Sequence, residues 1–161
     1  MSTIYYNDLI STIKRTISQL QNDALTTVGE GAFDSCTSLT SIDLPNVTTL
    51  GSSAFSYCTS LTSIDLPNVT TVGDYAFSYC ESLTSINLPN VTTVGDYAFV
   101  SCASLTSIDL PNVTTVGDYA FDSCTSLMEI HFAVKNKEAI EALSGYSNKF
   151  GATKATIYFD L

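Results

Sequence analysis

The chain has 161 residues, a length that predicts a single domain able to bury a sizeable core. Apolar residues make up 45% of it and charged residues 14%, which argues against a disordered chain, and no apolar run is long enough to span a membrane. Sixteen Asp and Glu residues against six Lys and Arg give a formal net charge of -10, which repels the phosphate backbone of nucleic acids. We therefore expect neither binding to nucleic acid nor insertion into a membrane.

Residues 1–23 are predicted to form an N-terminal helical cap. Residues 7–22 contain no Gly or Pro, and their apolar positions three and four residues apart share one face of a helix. This face would cover the apolar end of the repeats that follow. The same spacing is that of a coiled-coil seam, so the alternative is an assembly face that joins copies of the chain into a homo-oligomer. The residues of this face are Ile10, Ile13, Ile17 and Leu20.

Residues 24–132 repeat with a period of 22 residues. One copy, at residues 61–82, reads LTSIDLPNVTTVGDYAFSYCES. A unit this short cannot bury its own apolar side chains, so the copies must stack, each apolar residue on its equivalent in the next copy. The sequence contains a half copy at 24–38, full copies at 39–60, 61–82, 83–104 and 105–126, and a final strand at 127–132.

Within one copy, the alternation of Leu61, Ile64 and Leu66 with polar residues predicts a short strand, which Pro67 ends because it cannot donate a ladder hydrogen bond. Residues 69–72 can form a second extended piece. Gly73 then permits a tight bend. Residues 76–80 are predicted to return to the core as a compact segment, either helical or 3₁₀.

The pattern L-x-x-I-x-L-P-x-V-x-x-V/L-G-x-x-A-F-x-x-C resembles the BspA-type leucine-rich repeat of bacteria and their phages, and it covers residues 24–132. The resemblance implies an α/β solenoid, a right-handed coil whose short parallel strands line a concave face. It also implies a binding or structural role without enzymatic chemistry.

Residues 133–161 depart from the repeat and are predicted to form a C-terminal cap. Residues 135–143 suit a short helix, and residues 155–161 alternate like a final strand. This segment resembles the C-terminal closure of proteins with these repeats.

The five cysteines recur at the repeat interval, and we predict that they are small, buried, free thiols. Five is an odd number, and stacked strands hold equivalent Cβ atoms about 4.8 Å apart, beyond the usual disulfide range. A straight ladder also does not converge on a metal ion, so neither a metal site nor a cofactor is expected. The cysteines are Cys36, Cys58, Cys80, Cys102 and Cys124.

Each full copy also contains an Asn-Val-Thr triplet, the acceptor pattern for N-glycosylation, directly after the Pro of the turn. The first residues show no secretory signal, so the chain as written is expected in the cytoplasm or in a phage particle, with the triplets unmodified. The four asparagines are Asn46, Asn68, Asn90 and Asn112.

Polar residues of the first strand should form rows along the concave face. Carboxylates about 4.8 Å apart repel one another, so such a row is either a solvated surface or a site for a cation or a basic ligand. We predict that this row binds a protein or glycan partner, and that the chain binds no metal there. The predicted contact residues are Ser63, Asp65, Ser85, Asn87, Ser107 and Asp109.

Tyrosines should form two further rows, one of three residues and one of two. They could serve as contact groups, or they could only stack on each other. The rows are Tyr75, Tyr97 and Tyr119, and Tyr57 and Tyr79.

The sequence contains few candidate catalytic residues. His131 is the only histidine, and the repeat predicts no activated nucleophile. The sequence therefore predicts a non-catalytic interaction module that acts in bacterial or phage adhesion or recognition. The alternative is a structural or assembly component, of a phage particle or an engineered repeat scaffold, that oligomerises through the N-terminal helix.

Overall fold

Residues 2–4 and 25–161 are described by the computed structural model. The helix predicted over residues 7–22, and with it the proposed assembly face, lies outside the described residues. The positions concerned are Ile10, Ile13, Ile17 and Leu20.

The repeats form a parallel β-solenoid of about five turns, in which each turn, or coil, contributes one strand to each of two ladders. The second extended piece of each copy, together with residues 2–4, which lie in the predicted N-terminal cap, builds a six-stranded parallel sheet. Partners from successive copies are 22 residues apart, as in the pair Thr49 and Thr71. Its strands, in spatial order, are β1 (Ser2–Ile4), β2 (Leu25–Val28), β3 (Thr49–Leu50), β5 (Thr71–Val72), β7 (Thr93–Val94) and β9 (Thr115–Val116).

The first strand of each copy builds the other ladder, again in 22-residue register, as in the pair Ile64 and Ile86, and a strand of the C-terminal cap extends it. An isolated bridge between Asp43 and Asp65 extends this ladder toward the N terminus. We call its outward side the strand face. Its strands are β4 (Ser63–Asp65), β6 (Ser85–Asn87), β8 (Ser107–Leu110), β10 (Glu129–Phe132) and β11 (Thr156–Phe159).

The third side of each coil is a pair of turns, so the helical or 3₁₀ prediction for residues 76–80 was wrong. Tyr75 and Tyr79 have φ values of 56° and 57°, which no right-handed helix contains. The reason is that alternate amides bond to the next coil, as the Phe77 N–H does to the Ala98 carbonyl at 2.8 Å, while those between them close turns within their own coil, as the Ser78 N–H does to the Tyr75 carbonyl at 3.0 Å. This side, which we call the turn side, is therefore held by hydrogen bonds between coils.

The glycine of each copy is required by the close approach of the coils, not by a left-handed bend. A Cβ atom on Gly73 would lie 2.7 Å from the carbonyl carbon of Gly51 and from the amide nitrogen of Ser52. The left-handed positions lie two and six residues later, at Tyr75 and Tyr79. Sequence reasoning identified the glycine correctly but assigned it the wrong cause.

The core consists of ladders of equivalent apolar side chains, as the repeat predicts. The Phe rings at the 22-residue interval are almost completely buried and lie nearly parallel, with centroids 4.9 to 5.4 Å apart. Parallel stacks of this kind bury both faces of every inner ring. The rings are those of Phe33, Phe55, Phe77, Phe99 and Phe121.

The C-terminal segment caps the last coil with a mixture of short elements. A 3₁₀ helix at Val134–Asn136, helix α1 at Lys137–Glu141 and a second 3₁₀ stretch at Ser144–Gly151 precede strand β11, which pairs with β10. The α-helix is shorter than the predicted 135–143, and the strand lies inside the predicted 155–161. Among the described residues, no helix has the length and apolar character needed to cross a membrane.

Phe150 joins this cap to the repeats. Its side chain is fully buried and meets the Phe132 ring edge to face at 6.4 Å, while its carbonyl accepts a hydrogen bond from the Phe121 N–H at 2.9 Å. Phe150 has a left-handed φ of 54°, like the residues of the turn side. The cap therefore continues the hydrogen bonding of the coils for one more layer.

We predict that Phe77→Ala lowers the free energy of unfolding by about 3–5 kcal/mol, because it leaves a cavity between two stacked rings. Phe77 is the middle ring of the ladder, with a neighbour 5.4 Å away on each side. Phe77→Leu, which keeps much of the apolar volume, should cost roughly half as much. Denaturant unfolding monitored by circular dichroism measures the free energy of unfolding of both variants. An equally small decrease in the two would contradict the claim that the stacked Phe rings stabilise the fold.

Candidate functional site

The strand face presents one row of hydroxyls and one row of carboxylates or amides. In β4 the Ile64 side chain points into the core, while Ser63 and Asp65 are exposed on either side of it. The alternation repeats in β6 and β8 because the strands stay in 22-residue register. All six predicted contact residues thus lie on the strand face, and their role in binding stays a prediction: Ser63, Asp65, Ser85, Asn87, Ser107 and Asp109.

The strand face is interrupted between β6 and β8. The described strands form two separate sheets, β4 with β6, and β8 with β10 and β11. At the end of β4 the Leu66 N–H donates to the Asn87 carbonyl at 3.1 Å. Within residues 25–161, the equivalent bond from the Leu88 N–H to the Asp109 carbonyl is not formed. We call this interruption the sheet break.

The beginnings of the strands show the same interruption. Thr84 donates to the Thr62 carbonyl both from its N–H, at 2.9 Å, and from its hydroxyl, at 3.0 Å. Thr106 makes neither bond to Thr84 in the described part of the chain. The other two sides of the coils continue without a gap across this boundary, since β7 pairs with β9 and the turn-side hydrogen bonds persist. The coils therefore separate locally, on the strand face only.

Asn87 is the residue that departs from the acidic row at this point. Its Nδ2 donates to Asp65 Oδ1 at 2.8 Å, so the amide leans toward the preceding coil and away from Asp109. Ile86 beneath it is only partly buried, whereas its equivalents Ile64 and Ile108 are buried. The single Asp-to-Asn difference between copies thus coincides with the place where the sheet opens.

A pocket of about 150 Å³ occupies the sheet break. Polar atoms of Ser, Thr, Asn and Asp form most of its wall, and the Ile86 side chain contributes an apolar part. Four of the six predicted contact residues line it. The lining residues are Thr84, Ser85, Ile86, Asn87, Ser107 and Asp109.

His131 continues the acidic row at the C-terminal end, opposite Asp109. Its Nδ1 lies 2.8 Å from Asp160 Oδ1, its Nε2 lies 3.5 Å from Glu129 Oε2, and its ring stacks on Tyr158 at 4.8 Å. Partial burial lowers the pKa of His131, but the hydrogen bond and charge of Asp160 and the carboxylates of Glu129 and Asp109 outweigh it and raise this pKa. Sequence analysis missed Asp160 and Tyr158, because the cap lies outside the repeat that fixes the register.

The cysteines are buried free thiols, as predicted. Each inner thiol donates to a Phe carbonyl 25 residues earlier, as Cys80 Sγ does to the Phe55 carbonyl at 3.2 Å. Burial raises the pKa of Cys80 to about 12, and it also raises the pKa of Cys58. A thiol that stays protonated is a poor nucleophile, so these groups serve packing. Residues 25–161 contain no group of three or more His, Cys, Asp or Glu side chains placed to hold a metal ion.

The tyrosines of the turn side stack on each other. The rings of Tyr57 and Tyr79 lie 4.5 Å apart, and Tyr97 lies 5.0 Å from Tyr75 and 5.4 Å from Tyr119, all nearly parallel. Burial against its neighbours raises the pKa of Tyr97. Stacking uses the ring faces within each row and leaves the ring edges and hydroxyls toward solvent, so a contact role for these tyrosines stays a prediction.

Aspartates that directly follow the glycine of a copy, and the Asn-Val-Thr asparagines, bond to the backbone of neighbouring coils. Asp74 Oδ1 accepts the Asp96 N–H at 2.9 Å, and Asp96 Oδ1 accepts the Asp118 N–H at 2.8 Å. Asn68 Nδ2 donates to the Pro45 carbonyl at 2.6 Å, and the two copies that follow it repeat this bond. These polar groups therefore have structural partners in the neighbouring coils.

We predict that the free energy of unfolding falls as the pH rises from about 6 to about 8, where histidine titrates. The raised pKa of His131 in the folded state means that its stabilising effect is complete below its unfolded pKa and is lost as the pH passes the folded pKa. Asp160→Asn should make this dependence shallower, and Asp122→Asn on the turn side should not. Denaturant titrations across this pH range test it, and identical slopes for wild type and Asp160→Asn would contradict it.

Known proteins share both the repeat and the coil. Residues 3–128 match the BspA type leucine rich repeat region in six copies. The structure of the T. pallidum leucine rich repeat protein is similar with a TM-score of 0.72 and 28% identity, over 89% of this chain and 70% of that one. A comparison with curated proteins finds no match.

Two further solved structures are similar over a smaller share of their own length. A leucine-rich repeat protein from Bacteroides ovatus shares the fold, with a TM-score of 0.63 and 24% identity, over 89% of this chain and 43% of that one. A leucine rich cell surface protein from Faecalibacterium prausnitzii is 31% identical with a TM-score of 0.52, over 73% of this chain and 39% of that one. This chain thus spans less than half of either protein. Its 22-residue coils and the match over residues 3–128 place it in the BspA-type leucine-rich repeat family.

Proposed function

We propose that the chain is a non-catalytic interaction module that binds a protein or glycan partner through the strand face. The observation that carries this proposal is the pocket at the sheet break, where four side chains of the polar rows converge. The strands beneath these side chains are fixed by ladders of buried residues on both neighbouring coils. A partner therefore meets a surface that loses little conformational freedom on binding, which favours affinity.

The charge of the chain indicates the chemistry of the partner. No Lys or Arg stands between Arg15 and Lys135, while the repeats carry many carboxylates. The strand face consequently offers hydrogen-bond acceptors in excess, and its negative potential attracts donors and positive charge. A partner rich in amide, hydroxyl or basic groups fits this surface, and an anionic one does not.

Membership in the family agrees with such a role, since its repeats are generally associated with protein interaction or the cell surface. One similar structure is described as that of a leucine rich cell surface protein. We propose that this chain acts in adhesion or recognition at a bacterial or phage surface.

The test compares the binding of the purified chain with that of a charge-reversed variant on arrays of immobilised glycans and peptides. We expect Asp65→Lys with Asp109→Lys to abolish the signals that the wild type gives. Glu30→Lys with Glu81→Lys changes the net charge equally but leaves the strand face intact, so its signals should remain.

Two outcomes would overturn the proposal. Signals that survive reversal of the strand-face charges would show that binding uses another side of the coil. Equal loss in both double variants would show a response to net charge rather than to a site.

A further inference from the structure

At the sheet break the structure departs from its own repeat. Along the turn side and the six-stranded sheet, every described coil bonds to the next, and the core ladders pass under the break without interruption. The backbone amides left unbonded there, those of Leu88 and Thr106, belong to residues that do not line the pocket. The carbonyls that lack these donors, those of Asp109 and Thr84, do belong to lining residues, and they add backbone acceptors to the polar groups of the lining side chains.

Those side chains provide acceptors. Asn87 uses its Nδ2 in the bond to Asp65, which leaves its amide oxygen for a ligand. Asp109 contributes a carboxylate, to which no hydrogen bond is donated within the described part of the chain. Ser85 and Ser107 add hydroxyl groups, which both donate and accept. A ligand that complements Asn87 and Asp109 must bring a donor to each, because an acceptor placed against the carboxylate would lose its own hydrogen bond.

We propose that the sheet break binds a basic side chain of a protein partner, a Lys ammonium or an Arg guanidinium, between Asn87 and Asp109. Both groups consist of donors only and carry a full positive charge, which meets Asp109 on the Asn87 side while His131 faces it on the other side. The pocket volume of about 150 Å³ admits either group with part of its aliphatic stem, against which Ile86 forms an apolar wall. This proposal rests on the proposed function, and it makes that function specific to a basic protein partner.

A divalent metal ion fits the same pocket poorly. Such ions take several oxygen ligands, commonly from more than one carboxylate, and the pocket contains only that of Asp109. Asp65, the next carboxylate along the row, is already engaged by Asn87. A neutral sugar would bring as many acceptors as donors to a wall that holds mainly acceptors.

The experiment uses three small probes with the full chain: n-butylammonium, n-butylguanidinium and methyl α-glucoside. Chemical shifts in ¹⁵N-edited NMR spectra report where each probe binds. We expect saturable shifts from the two cations at Ser85–Asn87 and at Ser107–Asp109, and roughly tenfold weaker binding to Asp109→Asn, which loses a charged acceptor. Glu81→Gln removes the same charge from the turn side and should leave the affinity unchanged.

Three results would overturn the inference, and they separate it from the proposed function. Cation shifts spread evenly over Asp74, Asp96 and Asp118 as well would show unspecific attraction by the negative surface. Saturable binding that Asp109→Asn leaves unchanged would place the cation elsewhere. Glucoside shifts at the sheet break without cation binding would overturn the basic ligand but support a glycan partner for the strand face.

Discussion

The stacking of each side chain on its copy one coil away is the interaction on which the rest of the structure depends. A single coil has no core of its own, and its Phe, Leu, Ile, Val and Cys residues become buried only when the neighbouring coils cover them. Near identity between copies is therefore a packing requirement. A Phe ring whose neighbour lies 4.9 to 5.4 Å away needs another Phe ring at the equivalent position of the next coil. The same spacing lets backbone, Thr and Asn groups bond between coils.

Because the core ladders admit only small changes, such as Leu50 where the other copies have Val, most differences between copies lie at the surface, and there they change the binding chemistry. Asn87 replaces a carboxylate in the middle of the acidic row, turns toward Asp65 and lies beside the opening between β6 and β8. His131 occupies the equivalent position of the row in β10, and its Nδ1 lies 2.8 Å from Asp160 Oδ1. The scaffold thus holds fixed positions at regular intervals, and single substitutions along a row decide what each position can bind.

The repeat period predicted most of this architecture from the sequence. It fixed which residues stack and that Ile64 and Asp65 point to opposite sides of their strand, because register and alternation follow from the sequence alone. It did not reveal the turns of the third side, where Tyr75 and Tyr79 adopt left-handed backbone conformations that bulky residues rarely take. It did not reveal the sheet break either, which depends on the direction of the Asn87 side-chain amide. Nor did it reveal the pairing of His131 with Asp160, because the C-terminal cap lies outside the repeat.

The measurement that tests the account most directly is native-state hydrogen exchange of individual amides on the strand face. The amides of Leu66 and Thr84 are bonded to the adjacent coil, while their equivalents one coil later, Leu88 and Thr106, face the sheet break. The account predicts slow exchange at the first pair and markedly faster exchange at the second. Equal protection at all four positions would show a continuous sheet there, and would remove the pocket on which the site depends.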